Sequence, residues 1–369
     1  MLKAGIVGLP NVGKSTLFNA VTRSHKAAAE NYPFCTIEPN LGVVTVPDPR
    51  LEELAKVVSV SARIPATIEF VDIAGLVQGA SRGEGLGNKF LSHIREVDAI
   101  LQVVRCFEDP DVVHVAGSID PVRDIEIVLT ELVLADLEAV QRRQEKISRD
   151  VKRGDKHALL ESHLLDRFAA HLNAGKPAHT LGIPLAPEER LIVKSFCLLT
   201  DKPTVFVANL READLATADS NEFVRLVREY TSTHLNCATI VMCAQLESDL
   251  ADLTPQEAQE YLHELGLPDS GGGALIRTAY EVLKLRTFFT FNDKEIRAWT
   301  IHTGDTASRA AGTIHTDFER GFIKAEAVLW KDLVEQGSVG RARETGHYRI
   351  EGRDYQVRDG DVLLFKFAV

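Results

Sequence analysis

The octapeptide Gly8-Leu9-Pro10-Asn11-Val12-Gly13-Lys14-Ser15 constrains this chain more than any other stretch. It fits the pattern GxxxxGK[ST] and stands between an apolar run, Ala4 to Val7, and an amphipathic segment, Ser15 to Thr22. A strand that turns sharply into a helix points its backbone N–H groups inward, and the helix N-terminus adds partial positive charge. Such a turn cradles phosphates. Asn11, Val12, Gly13, Lys14, Ser15 and Thr16 are the expected contacts to a nucleotide, with Lys14 reaching the β- and γ-phosphate oxygens. The Ser15 hydroxyl is the expected Mg²⁺ ligand.

The text around this loop reads as α/β. Short apolar strands (Ala66 to Val71, Ala99 to Val104) alternate with helical segments such as Gly87 to Arg95, which predicts a mainly parallel sheet flanked by helices. The same grammar resumes at Thr204 to Ala208 and Ala238 to Met242, so a helical insertion interrupts this unit. In the insertion Val133, Leu137, Val140, Gln144, Ile147 and Val151 form a seam averaging one apolar contact every 3.5 residues. Gly154 and Asp155 break it, and Leu160, Leu164, Phe168 and Leu172 answer it, so a coiled-coil hairpin is expected. After Ser270 to Gly273, a helix over Ala274 to Leu283 leads into a small unit of short strands. Strands are expected at Arg286 to Phe291, Ala298 to Thr303, Tyr355 to Val357 and Val362 to Phe367, with one helix near Thr306 to Ala311. The expected units are a nucleotide-binding part over 1–128, the helical insertion over 129–201, a second nucleotide-binding part over 202–278 and a C-terminal unit over 283–366.

Three further segments complete the chemistry. Phe70-Val71-Asp72-Ile73-Ala74-Gly75 reads as a strand ending in DxxG, which puts Asp72 where it can hold Mg²⁺ and lets the Gly75 amide approach a γ-phosphate. Thr36, in a loop between the two elements, is the expected third contributor to the Mg²⁺ shell. After the strand at 204–208 comes Asn209-Leu210-Arg211-Glu212, where enzymes that select guanine carry NKxD. Here Leu210 and Glu212 replace the Lys and Asp. A longer carboxylate displaces a guanine, and Leu210 offers an apolar surface to a purine face, so guanine selection is expected to be relaxed or lost. Asn209 reads equally well as a capping residue without base contact.

The chain carries a formal net charge of −11, which excludes a protein that coats nucleic acid by bulk charge. The charge is uneven: residues 284–369 hold 14 Lys and Arg against 13 Asp and Glu. Arg142 to Lys156 holds seven basic residues against three acidic ones, near the predicted hairpin turn. Five scattered cysteines without metal-like spacing suit reduced thiols. No apolar run approaches the roughly 20 residues that cross a bilayer, and the N-terminus reads straight into a strand, so a cytoplasmic protein with no membrane partner is expected.

These motifs together, with Pro33-Phe34-Cys35-Thr36, Asp72-Ile73-Ala74-Gly75-Leu76-Val77 and the Gly-rich run Gly79 to Leu91, resemble those of the YchF (Obg-like ATPase) family. The resemblance covers essentially the whole chain. It implies a P-loop NTPase of GTPase-like fold, an inserted helical coiled coil and a C-terminal TGS unit, a ubiquitin-like β-grasp. It further implies ATP preferred over GTP, association with the ribosome through the large subunit or the whole particle, and rRNA contact. Leu76 stands where Ras-like enzymes carry the glutamine that orients the attacking water, so slow turnover is expected. The resemblance points instead to a loop histidine, here His114, as base or water-orienting group, with Lys14 and Gly75 as the other catalytic groups. Asn11 matches the asparagine that holds K⁺ in related P-loop enzymes, and Cys243-Ala244 stands where GTPases have the Ser-Ala beside the base. An Obg-type GTPase and a nucleotide-gated binding module with negligible hydrolysis are the competing readings.

Overall fold

Two six-stranded sheets organise the chain in the computed structural model, which describes residues 2–24, 40–73, 86–109, 118–267 and 269–368. In the N-terminal part, β1 (Lys3–Val7), α1 (Lys14–Ser24), β2 (Leu41–Thr45), α2 (Arg50–Val58), β3 (Ala62–Ile64), β4 (Thr67–Asp72), α3 (Leu86–Glu96) and β5 (Ala99–Arg105) follow one another. The insertion comprises α4 (Pro121–Lys152), α5 (Lys156–Asn173) and α6 (Pro187–Ser195). The first sheet is then completed around β6 (Thr204–Asn209), α7 (Glu212–Leu215), α8 (Glu222–Tyr230), β7 (Ala238–Met242), α9 (Ala244–Leu250), α10 (Pro255–Glu264) and α11 (Gly271–Val282). Its order is β2-β4-β1-β5-β6-β7, parallel except for the antiparallel β2–β4 pair. Every residue of β5 is buried, which explains why its apolar residues do not alternate with polar ones and only Gln102 and Arg105 interrupt them. The chain leaves β4 on one side of β1 and returns as β5 on the other. That reversal opens a crevice beyond the carboxyl end of β1, where α/β sheets bind ligands.

The hairpin forms as its periodicity predicts, but α4 is longer than expected. It begins at Pro121, with the Asp120 side chain accepting from Arg123 N at 3.0 Å, so residue 129 lies inside it. Its first turns bury Ile125 and Val128 against the sheet domain, while Val133 and Val140 pack with Leu164, Phe168 and Leu172 of α5. One helix thus serves two cores. Gly154, at φ +78°, makes the turn, and Asp155 caps α5 by accepting from Ala158 N at 2.8 Å. Where the chain returns to β6, buried Asp136 accepts from Leu199 N, Thr200 N and Thr200 Oγ1 at 2.7, 2.8 and 2.7 Å. Burial pushes its carboxyl up, and these three bonds oppose the shift.

The C-terminal unit departs from the sequence reading in three ways. β8 (Leu285–Phe291), β9 (Glu295–His302), α12 (Ala307–Ile314), α13 (Thr316–Arg320), β10 (Phe322–Leu329), α14 (Trp330–Gln336), α15 (Val339–Glu344), β11 (Arg349–Glu351) and β12 (Asp361–Phe367) give the order β11-β10-β12-β8-β9-β3. Tyr355 to Val357 forms only an isolated bridge, Thr306 to Gln356, while β10 and β11 were not anticipated. A register shift between Phe322 and Lys324 breaks the alternation of β10, and its inward residues Ala325 and Ala327 give a weak apolar signal. Three helices besides α12 intervene where one was expected. The helix expected from Ala274 begins at Gly271 instead, inside the glycine cluster, with Ser270 Oγ accepting from Gly273 N at 3.1 Å. The β-grasp character holds: β12 lies between β10 and β8, parallel to β8, and α12 covers the Phe288, Ala325 and Leu363 face.

The sixth strand of that sheet comes from the N-terminal part. β3 pairs in parallel with β9 through Ala62–Glu295, Arg63–Ile296 and Ile64–Arg297. Beside it Arg50 binds both Asp48 oxygens at 2.8 and 2.7 Å and Asp359 Oδ2 at 2.7 Å, with its guanidinium over Phe289. Among the described residues, no helix is long and apolar enough to cross a membrane.

Candidate functional site

The loop after β1 holds the conformation its glycines permit. Gly8, Asn11 and Gly13 take φ of +150°, +61° and +96°, which turns successive amides toward one concavity. A Cβ on Gly8 would stand 2.5 Å from Val103 O of β5, and one on Gly13 would strike Asn209 Nδ2. Both positions need glycine for space as well as for φ. α1 starts at Lys14, directly behind the concavity.

Three expected residues converge there. Lys14 is 7% exposed and its Nζ donates to Leu9 O at 2.7 Å. Burial pulls its pKa down, and the nearby Asp72 charge partly restores it. Ser15 Oγ donates to Asp72 Oδ2 at 2.8 Å. Asp72 Oδ1 is buried without a hydrogen-bond partner. Strand pairing produces this meeting, since β1 and β4 run in parallel with Ile6 beside Asp72. A hydroxyl, a carboxylate and an unsatisfied carboxylate oxygen make the hard oxygen donor set that suits Mg²⁺. No cluster of three or more His, Cys, Asp or Glu among the described residues could hold a metal ion, so the hydroxyl–carboxylate pair is the candidate centre. Thr36, Gly75 and His114 lie outside the described residues.

The base side is a cleft of about 430 Å³. It is lined by Asn11 and Gly13 of the loop and Thr16 of α1, together with Asn209, Leu210 and Glu212. Val12 contributes its carbonyl rather than its side chain, which is 1% exposed. Asn209 is a brace: its Nδ2 donates to Val12 O at 2.9 Å, and its Oδ1 accepts from Ala244 N at 2.9 Å. This side chain, 3% exposed, ties the phosphate loop to the start of α9. Leu210 packs into a core with Phe206 and Val224 and is 2% exposed, so only its edge reaches the cleft. Cys243 lines the same cleft, and burial pushes its thiol up, which keeps it protonated.

Four contributors escaped the sequence reading. Phe107 and Asp109, just beyond β5, line the cleft. Arg105, 1% exposed, holds that turn by donating to Phe107 O at 3.1 Å and Asp109 O at 3.3 Å, with its guanidinium 4.7 Å from the Phe107 ring centroid. An arginine closing a strand that is apolar but for Gln102 was the available signal. Tyr261 of α10 donates its hydroxyl to Glu212 Oε1 at 2.7 Å, across 49 residues of chain, and no local pattern announces it.

Comparison with known proteins agrees with this geometry. A family described as 50S ribosome-binding GTPase matches residues 3–146, and one described as a protein of unknown function (DUF933) matches residues 285–368. The ribosome-binding ATPase YchF of Bacillus subtilis is 49% identical over 368 residues, covering 100% of both chains. Its counterpart from Escherichia coli O157:H7 is 48% identical over 368 residues, covering 100% of this chain and 99% of that one. The structure of the Schizosaccharomyces pombe YchF GTPase matches with a TM-score of 0.89 at 37% identity, covering 99% of this chain and 97% of that one.

Replacing Asn209 by alanine would leave Val12 O and Ala244 N without their partner inside the protein. Two lost bonds at roughly 1 kcal/mol each predict a loss of triphosphate affinity of about tenfold or more, read by isothermal titration of Asn209→Ala. An unchanged affinity would show that the loop keeps its shape without the brace.

Proposed function

Because the chain belongs to the YchF family, we propose that it is a ribosome-binding ATPase that hydrolyses ATP to ADP and phosphate and changes its docking with nucleotide state. The observation that carries the chemistry is the meeting of Lys14, Ser15 and Asp72 at the mouth of a backbone nest, with Asp72 Oδ1 left unsatisfied. In this reading Lys14 leaves Leu9 O for the β- and γ-phosphate oxygens, while the amides from Asn11 to Thr16 hold the remaining charge. Ser15 and Asp72, with Thr36, would hold Mg²⁺, and the ion would supply positive charge against the phosphates. Gly75 is assigned to the γ-phosphate and His114 to orienting or deprotonating the attacking water. With Leu76 in the glutamine position, unaided turnover is slow, on the order of 10⁻⁴ to 10⁻³ per second. Asn11 would be the residue that helps hold a K⁺ ion, whose charge would help stabilise the negative charge of the transition state.

The base reading follows from Leu210 and Glu212, which leave guanine without the partners that an NKxD pattern gives it. Adenine then rests beside Leu210, Phe107 and Cys243 in the cleft. A GTPase of the Obg type is the competing reading, since the family matching residues 3–146 is a 50S ribosome-binding GTPase and the Schizosaccharomyces pombe neighbour is a YchF GTPase. The working units are those of the sequence reading: 1–128 with 202–278 for nucleotide, 129–201 and 283–366 for docking. The surface proposed for the ribosome is the exposed end of the hairpin, where Lys146, Arg149, Lys152, Arg153 and Lys156 face solvent. Arg143 is not part of it, since it bonds Glu161 and donates to Ser195 O and Oγ, both at 3.0 Å. rRNA phosphates on the large subunit are the partner such a tip suits, in the cytoplasm.

Titration in Mg²⁺ is expected to give tighter binding of ATP than of GTP, and Lys14→Ala to weaken ATP by about a hundredfold, the worth of roughly two charged hydrogen bonds. Equal affinity of Lys14→Ala and wild type would sink the reading. Exchanging K⁺ for Na⁺ is expected to lower the hydrolysis rate several-fold, and an unchanged rate removes Asn11 from the ion's shell. The triple variant Arg149→Glu, Lys152→Glu, Arg153→Glu is expected to lose co-sedimentation with ribosomes, and the wild-type interaction to weaken with salt; retained co-sedimentation takes the tip out of the docking surface.

A further inference from the structure

Glu212 stands at the base end of the cleft, at the first residue of α7, yet one of its carboxylate oxygens is already taken. Tyr261 Oη donates to Oε1 at 2.7 Å. Tyr261 does not line the cleft; it packs on the far side, in the cluster built by Cys243, Leu246 and Leu250. The oxygen it binds is therefore drawn toward α10 rather than toward a bound base.

The helix that carries Tyr261 is well anchored. Thr254 and Glu257 form a reciprocal cap at its start: Thr254 N donates to Glu257 Oε2 at 2.9 Å and Glu257 N to Thr254 Oγ1 at 3.3 Å. At its neighbour α9, Cys243 Sγ accepts from Leu246 N at 3.3 Å, so the sulfur that lines the cleft and the ring that holds Glu212 share one small core.

The chemistry of the two purines gives this contact a consequence. Guanine presents N1–H and an exocyclic amine, two donors that a free carboxylate would accept. Adenine presents a ring-nitrogen lone pair at the same place, which a free carboxylate repels. A carboxylate held back by a tyrosine hydroxyl serves guanine less and disturbs adenine less. We propose that Tyr261 is a positioning residue for base selection, whose hydroxyl holds Glu212 on the α10 side of the cleft and so favours adenine over guanine. The proposal rests on the ATP reading above and adds to it a residue outside the cleft.

The test is Tyr261→Phe, which keeps the ring and its packing and removes only the hydroxyl. Dissociation constants for non-hydrolysable ATP and GTP analogues are measured by titration in Mg²⁺ for wild type, Tyr261→Phe, Glu212→Ala and the double variant. The ATP-to-GTP preference is expected to fall about five- to tenfold in Tyr261→Phe, the scale of one hydrogen bond to a charged group, chiefly through tighter GTP binding. Glu212→Ala is expected to change the preference, and adding Tyr261→Phe to it to change nothing more, because the hydroxyl acts through the carboxylate. A preference within twofold of wild type in Tyr261→Phe overturns the proposal, as does a Tyr261→Phe effect that survives in the Glu212→Ala background. An unmoved preference in Glu212→Ala overturns it without reference to Tyr261→Phe, should that variant fold poorly. A wild-type chain that binds both analogues equally fails earlier, at the ATP reading, and takes the proposal with it; wild-type selectivity with an indifferent Tyr261→Phe fails at the latch alone.

Discussion

A buried ammonium at the end of a parallel sheet sets the conditions for everything around it. Lys14 is 7% exposed, and an ion removed from water costs several kcal/mol unless opposite charge and hydrogen bonds compensate. Among the described residues Asp72 supplies the nearby carboxylate, and Ser15 already occupies one of its oxygens. Around the same point the inward amides of the loop and the start of α1 add further positive potential. The inventory has more positive than negative character until a polyanion enters. The sheet order enforces this: with β1 between β4 and β5, the loop cannot form without bringing Asp72 on one side and Val103 on the other.

The same economy of strands ties the C-terminal unit to the nucleotide sheet. Between β2 and β4 the chain leaves the first sheet, forms α2, and gives β3 to the edge of the second. Asp48 holds Arg50, Arg50 holds Asp359, and Asp359 Oδ1 accepts from Thr287 N of β8 at 2.9 Å. The apolar core follows the polar path, running from Ile68 and Phe70 through Leu54 to Phe289, Ile296 and Val362. A shift of β2 against β4 would be felt by α2 and hence by β8 and β9, because packed cores move between discrete arrangements rather than deforming smoothly. The C-terminal sheet is thus not a bead on a linker, whatever its local sequence suggests.

What could be read in the sequence was what a short window carries. The loop from Gly8 to Ser15 has its own signature and flanking strand and helix, and its placement follows from seven or eight adjacent residues. The hairpin seam was legible for a similar reason, since Val133, Val140, Leu164, Phe168 and Leu172 repeat along two helices that pack on each other. The misses share the opposite property. β3 is three residues long, two of them exposed, and its partner lies more than 230 residues away at Glu295 to Arg297. β10 hides behind small alanines and a register shift, and Tyr261 meets Glu212 only because α10 folds back over α9. Non-local pairings leave no periodicity to detect.

Asn209 explains how the base end of such a site can change while the phosphate end does not. Its amide bridges Val12 O and Ala244 N, so it belongs to the loop's architecture as much as to the base pocket. Removing it would loosen the turn that gathers the phosphates. Leu210 carries no such obligation toward the loop: its side chain belongs to the core beneath β6, and its backbone N donates to Met242 O at 2.8 Å whatever the side chain is. Glu212 is likewise held from outside the loop, by α10. Asn209, which braces the phosphate loop, and Leu210 and Glu212, the residues proposed to discriminate purines, therefore answer to different neighbours, so a change at the base end need not disturb the brace.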